Sequence, residues 1–324
     1  MKYWLILSIF LAGHSCAAED NEAIDWLKKM AASNNNVSYV GTFIYQHGGR
    51  LETSHLTHHV SPMGDVFEKL ETLDGPPREI IRANDKVTAY LPDSQTLIVE
   101  KRNPHHLPVT LPENLQELNA QYELKKTHSE RIVGFECQWI FIAPKDKLRY
   151  GRKFCIEFNT GLPLRAQVVN EKMEVIESFG FYQLQIDQDV AAESQDSLYA
   201  VVARNENWRI DRSALNITEK PFDTGWTIKP SPPGFYKKME VKRTVAGRLS
   251  AIPHLVYSDG LAAISVFIEP NQRKKMTPPL ISKGAIHIYK KNYQTFTIVV
   301  LGEVPAKTVM MFANSVQYKK SSEH

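Results

Sequence analysis

The chain has 324 residues, 43% of them hydrophobic, and a net charge of +3. That length allows two ordinary cores, and the composition excludes a disordered chain. So even a charge balance gives no field that would by itself select nucleic acid.

Residues 1–18 read as a removable secretory leader. Lys2 supplies a positive start, Tyr3 to Ala12 form an apolar run, and Ser15-Cys16-Ala17 and Cys16-Ala17-Ala18 offer small residues for a signal peptidase. The run is too short to span a bilayer core. Cys16 is a candidate lipid anchor, but Gly13 stands where a lipobox has leucine, so soluble export is the expectation. Losing Lys2 with the leader would leave a net charge of +2.

An amphipathic helix is expected from Glu22 to Ala32, with Ile24, Leu27, Met30 and Ala31 on one face and Asp20 or Asn21 as its cap. From Val37 the periodicity becomes two. Strands are expected at 37–47, 51–60, 66–73, 78–83, 86–91 and 97–101, cut by turns such as Gly48-Gly49 and Asp74-Gly75-Pro76-Pro77. Connections this short force antiparallel neighbours. A proline-bearing loop at 102–112 leads to a short helix, Glu113 to Ala120, and then to strands at 122–129, 131–143, 148–158, 162–170 and 173–186.

A large antiparallel sheet with few helices must curve to hide its apolar face. The expected fold class is therefore mainly β (α+β), with an unclosed barrel whose concave side is plugged by helices. Phe43 and Tyr45 share one strand face, Val87 and Ala89 another, and Trp139 and Phe141 a third; they build either a plain core or a lipid-sized cavity. Folding the hairpin near Lys145-Asp146-Lys147 about Asp146 sets Cys137 opposite Cys155. In an oxidising compartment such a pair forms a disulfide, and two buried free thiols are the alternative.

Residues 187–221 lose the strand rhythm and read as a linker, acidic at its start. A second, smaller unit follows, with strands at 235–245, 248–257, 261–269, 284–290 and 294–302 and a helix from Ala306 to Val316 behind Pro305. Ser258-Asp259-Gly260 is a tight turn between two of these strands, with a glycine free to take positive φ.

Catalytic motifs are missing: there is no Gly-x-Ser-x-Gly, His-Glu-x-x-His or Walker loop, and no zinc-spaced cysteine pairs. His55, His58 and His59 are the metal candidates, but on a strand His58 points away from the other two, and His55 and His59 lie about 13 Å apart, too far to share a metal. An exposed polar face is expected there, and for Glu68, Glu71 and Glu79. His105-His106 has no identifiable partners. Arg273-Lys274-Lys275 and Lys290-Lys291 read as solvated surface, with an anionic glycolipid or acidic segment as the functional alternative.

Several blocks in one order resemble a known family. They are Tyr39-Val-Gly-Thr-Phe-Ile-Tyr45, Leu73-Asp-Gly-Pro-Pro-Arg-Glu79, Arg82, Tyr90-Leu-Pro92, Pro144-Lys-Asp146, Arg149-Tyr-Gly151 and Thr160-Gly-Leu-Pro-Leu-Arg165 in the first unit. In the second they are Gly234-Phe235, His254 to Glu269, Gly284-Ala285, Tyr289 and Gly302-Glu-Val-Pro305. Together they resemble the RseB/MucB family, periplasmic negative regulators of the envelope stress sigma factor (sigma-E/AlgU). Two features depart from the family pattern: the strand from His55 to His59, and Cys155 where a bulkier apolar residue is expected.

The resemblance implies a leader at 1–18, a lipoprotein-carrier-like half-barrel at 19–186, a linker at 187–221, a partner-binding domain at 222–318 and a tail at 319–324. It implies a non-enzymatic protein without a cofactor. Such a protein would bind the periplasmic domain of a transmembrane anti-sigma factor (RseA/MucA-like), shield it from the site-one protease, and release it on meeting lipopolysaccharide or another lipid. A homo-oligomer is compatible with this; nucleic acid is not an expected partner. For partner docking the resemblance points to Phe235 and to Tyr257, Ser258, Asp259, Gly260 and Leu261. These residues have the alternative role of simply building the hairpin. Phe43, Tyr45, Tyr90 and Trp139 are the lipid-contact candidates. The rivals are a periplasmic lipid or lipoprotein carrier, which leaves the second unit unexplained, and a hydrolase, for which no converging titratable cluster is visible.

Overall fold

The computed structural model describes residues 16–101, 111, 112, 114–186, 208–211, 222–243, 251–271 and 279–319. Residues 1–15, which hold most of the expected leader, His105-His106, Arg273 to Lys275, most of 187–221 and the last five residues lie outside them.

Helix α1 (Cys16–Ser33) starts earlier than the amphipathic pattern suggests, so Asp20 and Asn21 are internal rather than caps. Its buried face is Ala23, Ile24, Leu27 and Met30, while Ala31 is exposed. Each fully buried leucine on such a face contributes roughly 1.5–3 kcal/mol. The first six strands follow: β1 (Tyr39–His47), β2 (Arg50–Val60), β3 (Val66–Thr72), β4 (Glu79–Ala83), β5 (Lys86–Leu91) and β6 (Thr96–Lys101). A 3-10 turn at Leu115–Ala120, capped by the Asn114 side chain, stands where a short helix was expected.

Beyond it run β7 (Tyr122–Ile132), β8 (Phe135–Pro144), β9 (Gly151–Glu157), β10 (Pro163–Val169), β11 (Val175–Ile186) and the short β12 (Arg209–Asp211). The break expected near residue 130 lies instead at Val133-Gly134, where both residues have positive φ and Ile132 pairs with Phe135. Valine is a poor turn former, which hid this hairpin from its sequence.

These twelve strands form one sheet in the order β12-β6-β5-β4-β3-β2-β1-β11-β10-β9-β8-β7. Two meanders are joined where β1 pairs with β11, and the outermost strands β12 and β7 do not meet. The barrel is open. Register shifts at Thr42/Phe43, Lys126/Ser129, Pro163/Arg165 and Val168/Val169 supply the bends that curve it. One pairing departs from the antiparallel expectation: β12 runs parallel to β6, after a connection long enough to permit it.

The second unit is a six-stranded sheet in the order β14-β15-β16-β19-β18-β17. Its strands are β14 (Tyr236–Arg243), β15 (Ile252–Ser258), β16 (Ala263–Pro270), β17 (Leu280–Lys283), β18 (Ile286–Tyr293) and β19 (Phe296–Gly302). A two-stranded ribbon pairs β13 (Trp226–Ile228) with β20 (Val316–Tyr318), and helix α2 (Ala306–Asn314) packs Val309, Phe312 and Ala313 onto the sheet. Strands β12, β13, β17 and β20 have three or four residues each, too few for an alternating pattern to register. Lys290 and Lys291 lie within β18.

Candidate functional site

The turn Ser258-Asp259-Gly260 is built by its own side chains. Gly260 has φ of +102°, and the Ser258 hydroxyl accepts a hydrogen bond from the Gly260 amide at 3.0 Å. Asp259 Oδ1 accepts from the amides of Leu261 (2.9 Å) and Ala262 (2.7 Å). That leaves Oδ2, and it points out of the small unit into the large one. There it accepts from the Tyr122 hydroxyl at 2.8 Å and forms an ion pair with Arg149 Nε, also at 2.8 Å.

Both charged side chains of this pair are fully buried. Arg149 is further tied by hydrogen bonds to Gln121 Oε1 (2.9 Å), Asp146 Oδ2 (2.8 Å) and the Pro233 carbonyl (2.9 Å). Its guanidinium lies 4.8 Å from the ring centre of Phe235, a cation–π contact across the same boundary. Burial, and then the Asp259 charge, hold the Tyr122 phenol well above its ordinary pKa, so it remains a donor. Leu261 joins the large unit's core, while Leu148 of the large unit packs on the small core. The Thr308 hydroxyl donates to the Leu148 carbonyl at 2.7 Å. Gly234 holds φ at +77°, which favours glycine, and a Cβ there would lie 2.4–2.8 Å from the Gln121 amide and displace it.

A second contact joins the units about the Gly284-Ala285 turn. Glu177 accepts from the Ala285 amide (Oε1, 2.7 Å) and from the Tyr45 hydroxyl (Oε2, 2.7 Å), and Arg152 pairs with Glu303 at 3.0 Å. Burial and the Glu177 carboxylate raise the Tyr45 pKa. A small cleft of about 90 Å³ lies here, lined by Tyr45, Arg152, Glu177, Phe179, Ile286 and Glu303 among others.

The partner-docking candidates are thus placed together, facing inward. Phe235 and Tyr257 pack edge-on against Phe312 at 5.4 and 5.3 Å, and Asp259, Gly260 and Leu261 meet the large unit. The lipid-contact candidates are split. Phe43 and Tyr45 lie on the face that carries α1, with Phe43 4.8 Å from Phe179. The registers put Tyr90 in the row Thr42–His55–Glu71–Glu79–Tyr90–Leu97 and Trp139 in the row Gly180–Arg165–Cys155–Trp139, both on the opposite face. Tyr90 belongs to a small separate cluster with Ile81 and Leu97, and the Trp139 indole donates to Glu130 at 2.7 Å. What the α1 face does carry is an apolar row of which the sequence reading singled out only Ala89, Leu56–Leu70–Ile80–Ala89–Ile98, one residue per strand and each half-buried.

Cys137 and Cys155 form a disulfide, with Cα atoms 5.3 Å apart. They are diagonal rather than directly opposed: Cys137 pairs with Glu157 and Cys155 with Trp139, so the hairpin centres on Lys147, one residue beyond the expected Asp146.

The strand His55 to His59 is not an exposed polar face. His58 is fully buried, stacked on Tyr39 at 5.0 Å, with Nε2 donating to the Asn34 carbonyl (3.0 Å) and Nδ1 on Glu68 Oε1 (2.8 Å). Arg82 Nη1 donates to the other Glu68 oxygen at 2.8 Å, so Glu68 too is a buried charge and not a solvated one. Among the described residues no group of three or more metal-ligating side chains converges.

Residues 22–199 match the MucB/RseB N-terminal domain and residues 220–317 the MucB/RseB C-terminal domain. The chain belongs to the MucB/RseB family. It is 29% identical to the sigma factor AlgU regulatory protein MucB of Pseudomonas aeruginosa, over 98% of each chain. It superposes on MucB in the Pseudomonas aeruginosa MucA/MucB complex with a TM-score of 0.72, at 26% identity over 93% of this chain and all of that one. On a crystal structure of MucB without a named partner the TM-score is 0.61, at 27% identity over 92% of this chain and 98% of that one. Among the described residues no helix is long and apolar enough to cross a membrane.

Sequence reasoning missed Arg149, Tyr122 and Glu177 as site residues. Arg149 stood in one of the blocks that carried the family resemblance, but its partner lies 110 positions away at Asp259, and spacing cannot reveal such a pairing.

Proposed function

We propose that this chain is a non-catalytic periplasmic regulator that binds the periplasmic part of a membrane-spanning anti-sigma factor, keeps the site-one protease from it, and releases it on binding lipid. The observation that supports partner binding most directly is the likeness, over nearly the whole chain, to MucB as it stands with MucA. The lipid half of the reading is supported by the row from Leu56 to Ile98. A half-buried apolar stripe on a curved sheet offers the surface an acyl chain needs, and lipid need only bind the partner-free state more tightly to act as a release signal.

The test is a titration of the purified protein with the anti-sigma periplasmic fragment, with and without lipopolysaccharide, alongside cleavage of that fragment by the protease. Tight binding that slows cleavage and weakens with lipid is the expected result. Absence of binding at any attainable concentration would overturn the reading in favour of a lipid carrier. Leu70→Glu in the apolar row should leave partner binding intact and abolish the lipid effect.

A further inference from the structure

We infer that the Tyr122–Arg149–Asp259 cluster is an interdomain latch, and that the arrangement it holds closed is the one competent to take the partner. The inference rests on the partner-binding reading above and deepens it, because it gives the fingerprint turn a different role from direct docking. Asp259 divides its two oxygens between two tasks: Oδ1 folds the turn and Oδ2 holds the large unit. The turn could be built without Oδ2. The second oxygen, together with Leu261 in the neighbouring core, is what makes the turn a joint.

The chemistry of the joint suits a reversible device. A buried ion pair recovers little more than the desolvation it costs, so it adds little net strength, yet removing one partner strands the other charge. An interface closed by Arg149 and Asp259 therefore specifies one arrangement without sealing it. On opening, both groups return to water and lose little. Apolar contacts accompany the pair at this turn: Leu261 lies in the large unit's core, Leu148 packs on the small core, and Leu118 and Pro112 stand beside Gly260. The second contact at Glu177 and Arg152 has the same character, with carboxylates meeting a backbone amide and a guanidinium. The closed arrangement described here also superposes better on MucB in complex with MucA than on MucB without a named partner, 0.72 against 0.61.

The experiment uses the full mature chain. Spin labels on Lys172→Cys and Lys238→Cys, both exposed and one on each unit, report the interdomain distance without partner present. Affinity for the anti-sigma periplasmic fragment is measured on the same proteins. In wild type a narrow distance distribution is expected. Arg149→Met, which leaves Asp259 buried and unpaired whenever the latch is closed, should broaden the distribution. If it cuts the closed fraction below a tenth, apparent affinity falls tenfold or more. Should Arg149→Met fail to fold, Tyr122→Phe tests the same joint without stranding a charge, and Gly284→Ala perturbs the second contact, where a Cβ would sit 2.3 Å from Glu177 Oε1.

Broadening with unchanged affinity would overturn the claim that closure sets competence. An unchanged distribution in both Arg149→Met and Tyr122→Phe would overturn the latch itself. Failure of wild type to bind the fragment, with the distances behaving as expected, would leave the latch standing and reject the partner reading, and with it the claim of competence.

Discussion

Removing either cysteine of the Cys137–Cys155 pair should destabilise the large unit by an amount the chain itself sets. The bond closes a loop of sequence separation 18. Loop-closure entropy for that length gives about 3 kcal/mol of stabilisation, by constraint of the unfolded chain. Each lost sulfur, taken from a fully buried position, adds about 0.8 kcal/mol, the cost of one deleted methylene. Cys137→Ala and Cys155→Ala should therefore each cost about 4 kcal/mol, and the double variant little more, since the cross-link can be lost only once. For a unit of this size that corresponds to a fall in Tm of roughly 8–16 °C. Urea unfolding at equilibrium, followed by tryptophan fluorescence, measures it; reductant added to the folded protein should do little, because both sulfurs are buried. Two single variants whose costs simply add in the double, or a total below about 1 kcal/mol, would refute the reasoning. The loop also carries Leu148, Arg149 and Arg152, so the same variants should loosen the contact between the units.

Glu68→Gln should cost about 3 kcal/mol in urea unfolding, because Arg82 and His58 would lose the carboxylate they share in a buried site; a cost under 1 kcal/mol would refute the network. His254 is buried against Phe267, its ring nitrogens have no hydrogen-bond partner among the described residues, and burial, with Arg243 nearby, pushes its pKa down to about 4. The unfolded chain therefore takes up a proton more readily than the folded one. Stability should be full above about pH 6.5 and fall progressively toward pH 4, by up to about 3 kcal/mol; His254→Leu should flatten that dependence in urea midpoints measured across the range. Gly234→Ala should raise the proteolytic sensitivity of the joint between the units, since the residue holds φ at +77° and its Cβ would push aside the Gln121 amide that accepts from Arg149; unchanged cleavage rates would refute it.

Strands such as β16 were legible because they bury one face more than the other, which writes a period of two into the sequence, whereas β8 and β9 are buried on both faces. What was not legible depends on pairing. The sides taken by Tyr90 and Trp139 follow from cross-strand registers, and the positive-φ Val133 and the diagonal cysteines are decided at the level of a single residue. A misplacement of one position flips a side chain to the other face, so four aromatic residues that looked equivalent divide two and two. His58 was misread for a related reason: an alternating strand predicts which side a histidine takes but not whether Glu68 and Asn34 wait there to accept its hydrogen bonds.

The Ser258-Asp259-Gly260 turn shows the same limit at the candidate site. Glycine at φ of +102° and an aspartate that accepts two amides are sufficient reasons for a tight turn, and local chemistry stops there. Nothing local requires that the remaining oxygen be buried, yet it meets two donors from another sheet. An aspartate whose only task was the turn could be replaced by asparagine at little cost, since an amide oxygen also accepts. An aspartate that also faces Arg149 could not, because asparagine would leave the guanidinium buried without a counter-charge. Asp259→Asn therefore separates the two roles. Retained folding of the small unit with a loosened interdomain distance would place the residue's second function at the joint, and an unaltered distance would return it to the turn alone.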